Sequence, residues 1–310
     1  MKVVIVEKIH ESGIDFLRKN NVNLELLYES KKPLEEAITE ADGVIVRLAR
    51  ITEQLLKIGK RNSLKVVAKH GVGVDNIDVE AAKNLGIRVV YTPDVMANAV
   101  AEFTLGAILM LAKKFDKYNL EVRNGRWNVR YTAENIEIKG KTIGIIGYGR
   151  IGKRVAELSR CFGATVLVYD PYVKVQEDFV YQTELPVLLR KSDFVTIHAP
   201  LTKATFHMIG LKELRLIKQG GFIINTARGG IMDEDALCQV FSEGGLRGAV
   251  LDTTENEPVR LDNQLLKFDN VIFTAHTAGL TDVSVNEESL LACKQVFQVL
   301  NGEEPTYALA

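Results

Sequence analysis

The sequence predicts an α/β protein of two domains, each a parallel sheet covered by helices. Three observations carry that reading. With 310 residues, 46% of them hydrophobic and 25% charged, the chain has globular composition and is long enough for two cores of about 100–200 residues each. In both halves short β-branched runs alternate with amphipathic stretches, which is the rhythm of strand, helix and parallel strand. Between the halves, "TPDVMANAVAEFTLGAILMLAKKF" sets a proline stop before a long apolar helix and reads as the crossing between domains.

The strands of the first domain are expected at "KVVIV", "NLELL", "GVIV", "KVVAK" and "RVVY", each ending near Gly, Asp or Pro. A second series begins at "KTIGIIGYGRIGKRVAELSRCFGATVLVYD" and continues through "DFVTIHAP", "GFIINTA", "GAVLD" and "NVIFTAH". A last helix, from about Ser284 to Leu300, has no strand after it and is expected to return to the first domain. The boundaries that follow are 1–97 with 284–310 for one domain and 98–283 for the other.

Composition narrows the function classes. Lys and Arg number 39 against 40 Asp and Glu, a net charge of −1, so no broad basic field holds nucleic acid or anionic membrane. A small-molecule partner is expected instead. Cys161, Cys238 and Cys293 lie far apart in apolar surroundings and form no CxxC pair, which suits plain buried thiols and leaves neither a disulfide framework nor a metal site. "MKVVIVEK" reads as a strand rather than a secretory leader. The longest uncharged apolar run, Phe103 to Ala112, falls short of the ~20 residues that span a bilayer. A cytoplasmic protein is expected. The Lys31-Lys32 pair reads as solvated surface, and His10 and His207 carry no case for chemistry.

The clearest motif is Gly147-x-Gly149-x-x-Gly152, which follows an apolar strand and opens a helix. Gly147 permits the tight turn, Gly149 lets backbone approach a pyrophosphate, and Gly152 allows helix to pack on strand, with helix amides on the phosphates. Asp170 ends the next strand 170 − 152 = 18 residues later, where its carboxylate accepts from ribose hydroxyls and repels a 2′-phosphate. NAD is therefore expected over NADP. Arg150, inside the motif, either assists the phosphates or reaches solvent.

A second group of residues forms a possible chemical set. Arg228 lies on a glycine turn in "NTARGG", Glu257 follows by 257 − 228 = 29 residues, and His276 by a further 276 − 257 = 19. Arginine offers a planar fork for a carboxylate and polarises the adjacent carbonyl. Histidine moves a proton in either direction near neutral pH. A glutamate beside it fixes its tautomer and stabilises the imidazolium. In "KHGVGVD" the N–H groups of Val72 and Gly73 are placed to grip a carboxylate, glycines letting consecutive donors face one ligand. The alternative there is a plain strand-to-helix turn. Arg47 and His70 are candidates to line the same site.

In order, "GYGRIG", "HAPLT", "NTARGG", "LDTTENEP" and "TAHTAG" resemble the D-isomer-specific 2-hydroxyacid dehydrogenases, a family that includes phosphoglycerate, glycerate and D-lactate dehydrogenases. "KHGVGVDNID" is similar to its substrate-loop motif and "ANAVAEFTLGAIL" to its interdomain helix, so the likeness covers nearly the whole chain. It implies two Rossmann-like/flavodoxin-like domains, the nucleotide domain inserted into the substrate domain, and a homodimer formed through the nucleotide domains. It also implies that Arg228 binds the substrate carboxylate and keto oxygen, that His276 is the general acid/base, and that Glu257 is its partner. Gly147, Gly149, Arg150, Ile151, Gly152, Asp170, His198, Pro200, Thr226, Ala227, Asp252 and His276 would meet NAD, with His198 at the nicotinamide edge. Asp252 either contacts the nicotinamide carboxamide or caps its strand. Two positions depart from the family pattern: Ala275 stands where proline usually precedes the histidine, and Thr253 and Thr254 replace apolar residues, which reads as a packing variation.

The opening "VEKIHESGIDFLR" and the substrate loop are most similar to the phosphoglycerate dehydrogenase branch, in which Arg47 would meet the phosphate. The expected pair is D-3-phosphoglycerate and 3-phosphohydroxypyruvate, as in serine biosynthesis. The runner-up is hydroxypyruvate or glyoxylate reduction. The chain ends at "NGEEPTYALA", so serine feedback through an appended regulatory domain is not expected. A formate dehydrogenase is disfavoured, because that branch carries glutamine where Glu257 stands. The rival from another class is a non-catalytic, corepressor-like NAD sensor on the same fold.

Overall fold

A computed structural model describes residues 1–30 and 32–309. Lys31, one of the two lysines read as solvated, lies outside them. Lys32 is half-buried rather than free in solvent, its Nζ 3.5 Å from Glu25 Oε1 and 3.4 Å from Glu40 Oε2. The chain divides into two compact units, Met1–Met96 with Leu280–Ala310, and Ala97–Gly279.

In the first unit the strands β1 (Lys2–Ile5), β2 (Asn23–Leu26), β3 (Gly43–Val46), β4 (Val66–Lys69) and β5 (Arg88–Val90) pair in parallel, in the order β2-β1-β3-β4-β5. This is the flavodoxin-like order, with its reversal between β1 and β3. Register explains the apolar runs. Val4, Val44, Val67 and Val89 line up across the sheet and pack one face, while Ile5, Ile45, Ala68 and Val90 line up behind them and pack the other. Both faces are covered, so β3 and β4 are buried along their whole length and show no polar alternation.

The helix Asp282–Leu300 belongs to this unit. It starts two residues before the sequence expectation because Thr281 and Ser284 form a capping box: Thr281 Oγ1 accepts from Ser284 N at 3.1 Å, and Ser284 Oγ from Thr281 N at 2.9 Å. It packs closely on the helix Glu11–Lys19. At their contact a Cβ on Gly13 would stand 2.6 Å from Ser289 O and 2.8 Å from Cys293 Sγ, so only glycine fits.

The second unit holds β6 (Thr142–Ile146), β7 (Thr165–Tyr169), β8 (Val180–Gln182), β9 (Phe194–Ile197), β10 (Gly221–Asn225), β11 (Leu246–Leu251) and β12 (Val271–Phe273), all parallel, ordered β12-β11-β10-β9-β6-β7-β8. This is the dinucleotide-binding strand order with one strand added, and it reverses between β6 and β9. The edge strand β8 was not foreseen, having three residues of which two are exposed. Nor were the helix Phe115–Arg123, which buries none of its residues, and the 3₁₀ turn Trp127–Tyr131. Cys161 is exposed and Cys238 half-buried, leaving Cys293 as the fully buried thiol. The sequence reading of three buried cysteines missed that Cys161 ends a helix on its outer face. Among the described residues, no helix is long and apolar enough to cross a membrane.

Candidate active site

In the second unit the glycine motif lies at the reversal of strand order. Gly147 has a φ of +94°, and a Cβ there would stand 2.7 Å from the carbonyl of His198 at the end of β9. A Cβ on Gly152 would meet Gly147 O at 2.1 Å. Gly149 differs from both, since nothing lies within 4 Å of where its Cβ would be. Glycine is thus required by packing at two positions and leaves open space at the third. Gly149 is also the N-cap of the helix Arg150–Cys161, and no side chain caps that helix. A helix start without a side-chain cap suits an anionic ligand. Ile151 packs into the core and Arg150 is exposed.

Asp170 holds the loop from the side. Its Oδ2 accepts from Tyr148 N at 2.8 Å, and its Oδ1 from Tyr172 N at 2.8 Å and Val173 N at 3.1 Å. Each carboxylate oxygen offers about two acceptor sites, so Oδ2 keeps capacity for a further donor. The open space at Gly149, the uncapped helix start and the acid at the end of β7 fit the pyrophosphate and ribose of a dinucleotide.

His198 has its Nε2 2.9 Å from Thr196 Oγ1, and burial pushes its pKa down to about 3. Its Nδ1 is buried without a protein partner among the described residues. A neutral ring of this kind is a hydrogen-bonding group and not a proton donor at neutral pH. Pro200 is exposed, with its carbonyl accepting from Thr205 Oγ1 at 2.6 Å. Thr226 is buried beside Thr104, Oγ1 to Oγ1 3.4 Å, and Ala227 N donates to Asn225 Oδ1 at 3.0 Å.

Arg228, Glu257 and His276 come from turns after β10, β11 and β12. Asn225 ties the first turn, its Nδ2 donating to Arg228 O at 3.0 Å, while Arg228 Nη1 donates to Ala227 O at 2.8 Å. Gly229 lets this turn lie against the next one: a Cβ there would stand 1.9 Å from the carbonyl carbon of Thr254. Gly229 is therefore a condition for bringing the arginine turn up to the glutamate turn. Thr254 N donates to Glu257 Oε1 at 3.3 Å, so its backbone serves the site, which goes beyond the packing role read from sequence.

His276 Nδ1 lies 2.9 Å from Glu257 Oε2. Burial alone would raise the Glu257 carboxyl. The hydrogen bond and charge of His276, the Thr254 amide and the charge of Arg228 outweigh it and hold the carboxyl below its usual range. An ionised carboxylate on Nδ1 makes that nitrogen the donor and leaves Nε2 for exchange with a substrate.

His276 takes a left-handed backbone, φ +53°, unusual for a side-chain-bearing residue. Asp252 accounts for it. At 2% exposure, its Oδ1 accepts from Thr274 Oγ1 at 2.6 Å and Thr277 N at 2.8 Å, and its Oδ2 from Ala278 N at 3.0 Å. Its backbone carbonyl accepts from His276 N at 2.8 Å. Asp252 thus grips the chain on both sides of the histidine, a role that sequence reading missed while weighing a strand cap against a nicotinamide contact.

In the first unit Glu7 and Lys69 brace the turn after β3. Glu7 accepts from the amides of Arg47, Leu48 and Ala49 at 2.9, 2.8 and 2.6 Å. Lys69 Nζ donates to Arg47 O and, at 2.7 Å, to Asn76 Oδ1. The half-buried Arg47 donates from Nη1 to Lys8 O at 3.2 Å. Val72 and Gly73 form an open turn after β4 with no backbone partner for their N–H groups among the described residues. His70 does not line a site, being 5% exposed and 3.1 Å from Glu288.

Residues 105–278 match the family model for the D-isomer specific 2-hydroxyacid dehydrogenase NAD binding domain. The chain is 38% identical over 308 residues to a D-3-phosphoglycerate dehydrogenase of Methanocaldococcus jannaschii, covering 98% of this chain and 58% of that protein. It therefore spans little more than half the length of that relative. It is 36% identical to a glyoxylate reductase of Thermofilum pendens, covering 98% of this chain and 93% of the other. The crystal structure of an Aquifex aeolicus D-lactate dehydrogenase, complexed with NAD and lactic acid, superposes with a TM-score of 0.88 at 32% identity, covering 98% of this chain and 96% of that one. With its strand order, glycine loop and acid all in the arrangement that such a dinucleotide needs, the chain belongs to the D-isomer-specific 2-hydroxyacid dehydrogenase family, and NAD is its cofactor.

Proposed function

We propose that the protein interconverts a D-2-hydroxy acid and its 2-keto acid, with D-3-phosphoglycerate and 3-phosphohydroxypyruvate as the pair. The observation that carries this is the 2.9 Å contact between His276 Nδ1 and an ionised Glu257. Bound NADH supplies the hydride for the keto carbon. Arg228 holds the carboxylate and polarises the keto oxygen, and His276 delivers the Nε2 proton to that oxygen as it becomes an alcohol. In the oxidative direction the same nitrogen takes the proton back. Glu257 keeps Nδ1 protonated and the ring in one orientation. Gly147, Gly149, Arg150, Ile151 and Gly152 are assigned to the pyrophosphate side of NAD and Asp170 to its ribose. His198, Pro200, Thr226, Ala227 and Asp252 are assigned to its nicotinamide half.

In the first unit the Val72 and Gly73 amides are assigned to the substrate carboxylate and Arg47 to the phosphate, which favours phosphohydroxypyruvate. Glyoxylate or hydroxypyruvate is the second reading, since a glyoxylate reductase is similar at almost the same identity. A homodimer through the NAD-binding unit is also proposed. Its support is the run of Phe115, Leu120, Val122, Trp127 and Tyr131, all exposed on a helix and turn that bury nothing.

NADH oxidation measured against phosphohydroxypyruvate, hydroxypyruvate, glyoxylate and pyruvate tests the reading. Phosphohydroxypyruvate should give the highest kcat/KM. A higher value for glyoxylate or hydroxypyruvate moves the assignment to the second reading. NADH binding without turnover of any acid would leave a nucleotide sensor.

A further inference from the structure

Behind the Val72-Gly73 turn lies a buried chain of polar side chains that the chemistry above does not use. His70, Thr92, Glu288 and Ser289 are 5%, 0%, 1% and 0% exposed. Burying such groups is costly unless they are paired, and each of the four side chains makes at least one hydrogen bond to another member of the network. Ser289 Oγ donates to Val285 O at 2.7 Å and accepts from His10 N at 2.9 Å. Its one proton is spent, so at 2.8 Å His70 Nε2 must donate to it. His70 Nδ1 then lies 3.1 Å from Glu288 Oε2, close enough for an ion pair but without hydrogen-bond geometry. Glu288 Oε1 accepts from Thr92 Oγ1 at 3.0 Å, and Thr92 Oγ1 accepts from Gly71 N at 2.9 Å. Gly71 O takes the backbone N–H of Thr92 at 3.0 Å.

The network runs from the helix Asp282–Leu300 to His70, just after β4, and through Thr92, shortly after β5, to Gly71. That residue has a φ of +144°, and a Cβ there would press on Lys69 Cε at 3.0 Å. Gly71 is the last fixed point before the two unpartnered amides. A purely apolar core would seal this region at least as well, because buried polar groups rarely add net stability. What the polar network adds is one defined direction for the turn.

We propose that Ser289, His70, Glu288 and Thr92 are positioning residues that hold the Val72 and Gly73 amides in the geometry for an anionic group of the substrate. This rests on the reading of those amides as carboxylate ligands. None of the four touches the substrate, so their loss weakens its binding while leaving the turnover of bound substrate intact.

Thr92→Val keeps shape and removes the hydroxyl shared by Gly71 and Glu288; Thr92→Ser keeps it. Two quantities are measured: amide hydrogen exchange at residue 92, whose N–H reports on its bond to Gly71 O, and steady-state kinetics with the best keto acid. In Thr92→Val, exchange should accelerate and KM for the keto acid rise about tenfold, the scale of one buried hydrogen bond. KM for NADH should be unchanged and kcat stay within about twofold. Thr92→Ser should restore both readouts. Glu288→Gln should also leave exchange at residue 92 near wild type, since the amide oxygen still accepts from Thr92. Unchanged exchange in Thr92→Val overturns the proposal, as does faster exchange with an unmoved keto-acid KM. If Thr92→Val does not fold, Ser289→Ala is read by the same criteria. If the wild type reduces no keto acid, the substrate reading falls by itself, and the exchange comparison still decides whether the network holds the turn.

Discussion

Arg228 works from a turn whose backbone leaves it little freedom, so its replacement reads out side-chain chemistry. Arg228→Lys keeps the charge and loses the planar fork. Its kcat/KM for a 2-keto acid should fall by about 2–4 kcal/mol of transition-state stabilisation, on the scale of a lost oxyanion donor; a value near wild type places Arg228 outside the reaction. For Glu257 the sign follows from its lowered carboxyl. The carboxylate is present at and above the ordinary range of about 4.3 and is lost only as pH falls through the lower folded value. The acid limb contributed by Glu257 to wild-type kcat/KM should therefore lie below about pH 4.3, and it should be missing from Glu257→Gln. An acid limb above pH 5 in wild type that disappears in Glu257→Gln contradicts this. Residue identity, chain order and the family likeness pointed to Arg228, Glu257 and His276, and the structure brings two of them, Glu257 and His276, to 2.9 Å of each other. Asp252 was harder to read. Its partners lie 22 to 26 residues later, and no local pattern marks them. His70 misled for the opposite reason: sequence gives its proximity to the substrate turn but not the direction in which it points.

Among the elements, the central strands were legible because burial on both faces leaves continuous apolar runs. Elements without a buried stripe were not. The helix Phe115–Arg123 buries no residue, so hydrophobic periodicity had nothing to report, and β8 is too short for alternation to register. Cys293 shows what helix packing does to chemistry. Wedged against Gly13 in the contact between two helices, its thiol is pushed up to about 12 by burial. The thiolate is the reactive species, so at pH 8 a thiol reagent should label the exposed Cys161 rapidly in the native protein and Cys293 only after unfolding. Cys293 modified at the rate of Cys161, by peptide mapping, contradicts the close packing of those helices. Gly13→Ala should loosen the same contact, raising Cys293 labelling before it lowers activity.

For the molecule as a whole, a net charge of −1 offers little repulsion between copies, and the exposed aromatic run beside the helix Ala97–Lys113 supplies an apolar surface for association. Sedimentation should find a dimer, and Leu120→Lys with Trp127→Glu should shift it to monomer while each chain stays folded; a wild-type monomer at micromolar concentration overturns the assignment. The division of the chain also orders events in time. The first unit is closed by residues from both ends: a Cβ on Gly43, in β3, would touch Val296 at 3.0 Å, and Val296 lies 296 − 43 = 253 residues later. A ribosome adding about 5–20 residues per second exposes the β3 face for roughly 10–50 s before the helix that covers it exists. The second unit, started later, has all its strands within one continuous stretch and completes its core first. During synthesis, then, of the two units the one whose strands emerge first is completed second, once the helix Asp282–Leu300 arrives to cover its sheet.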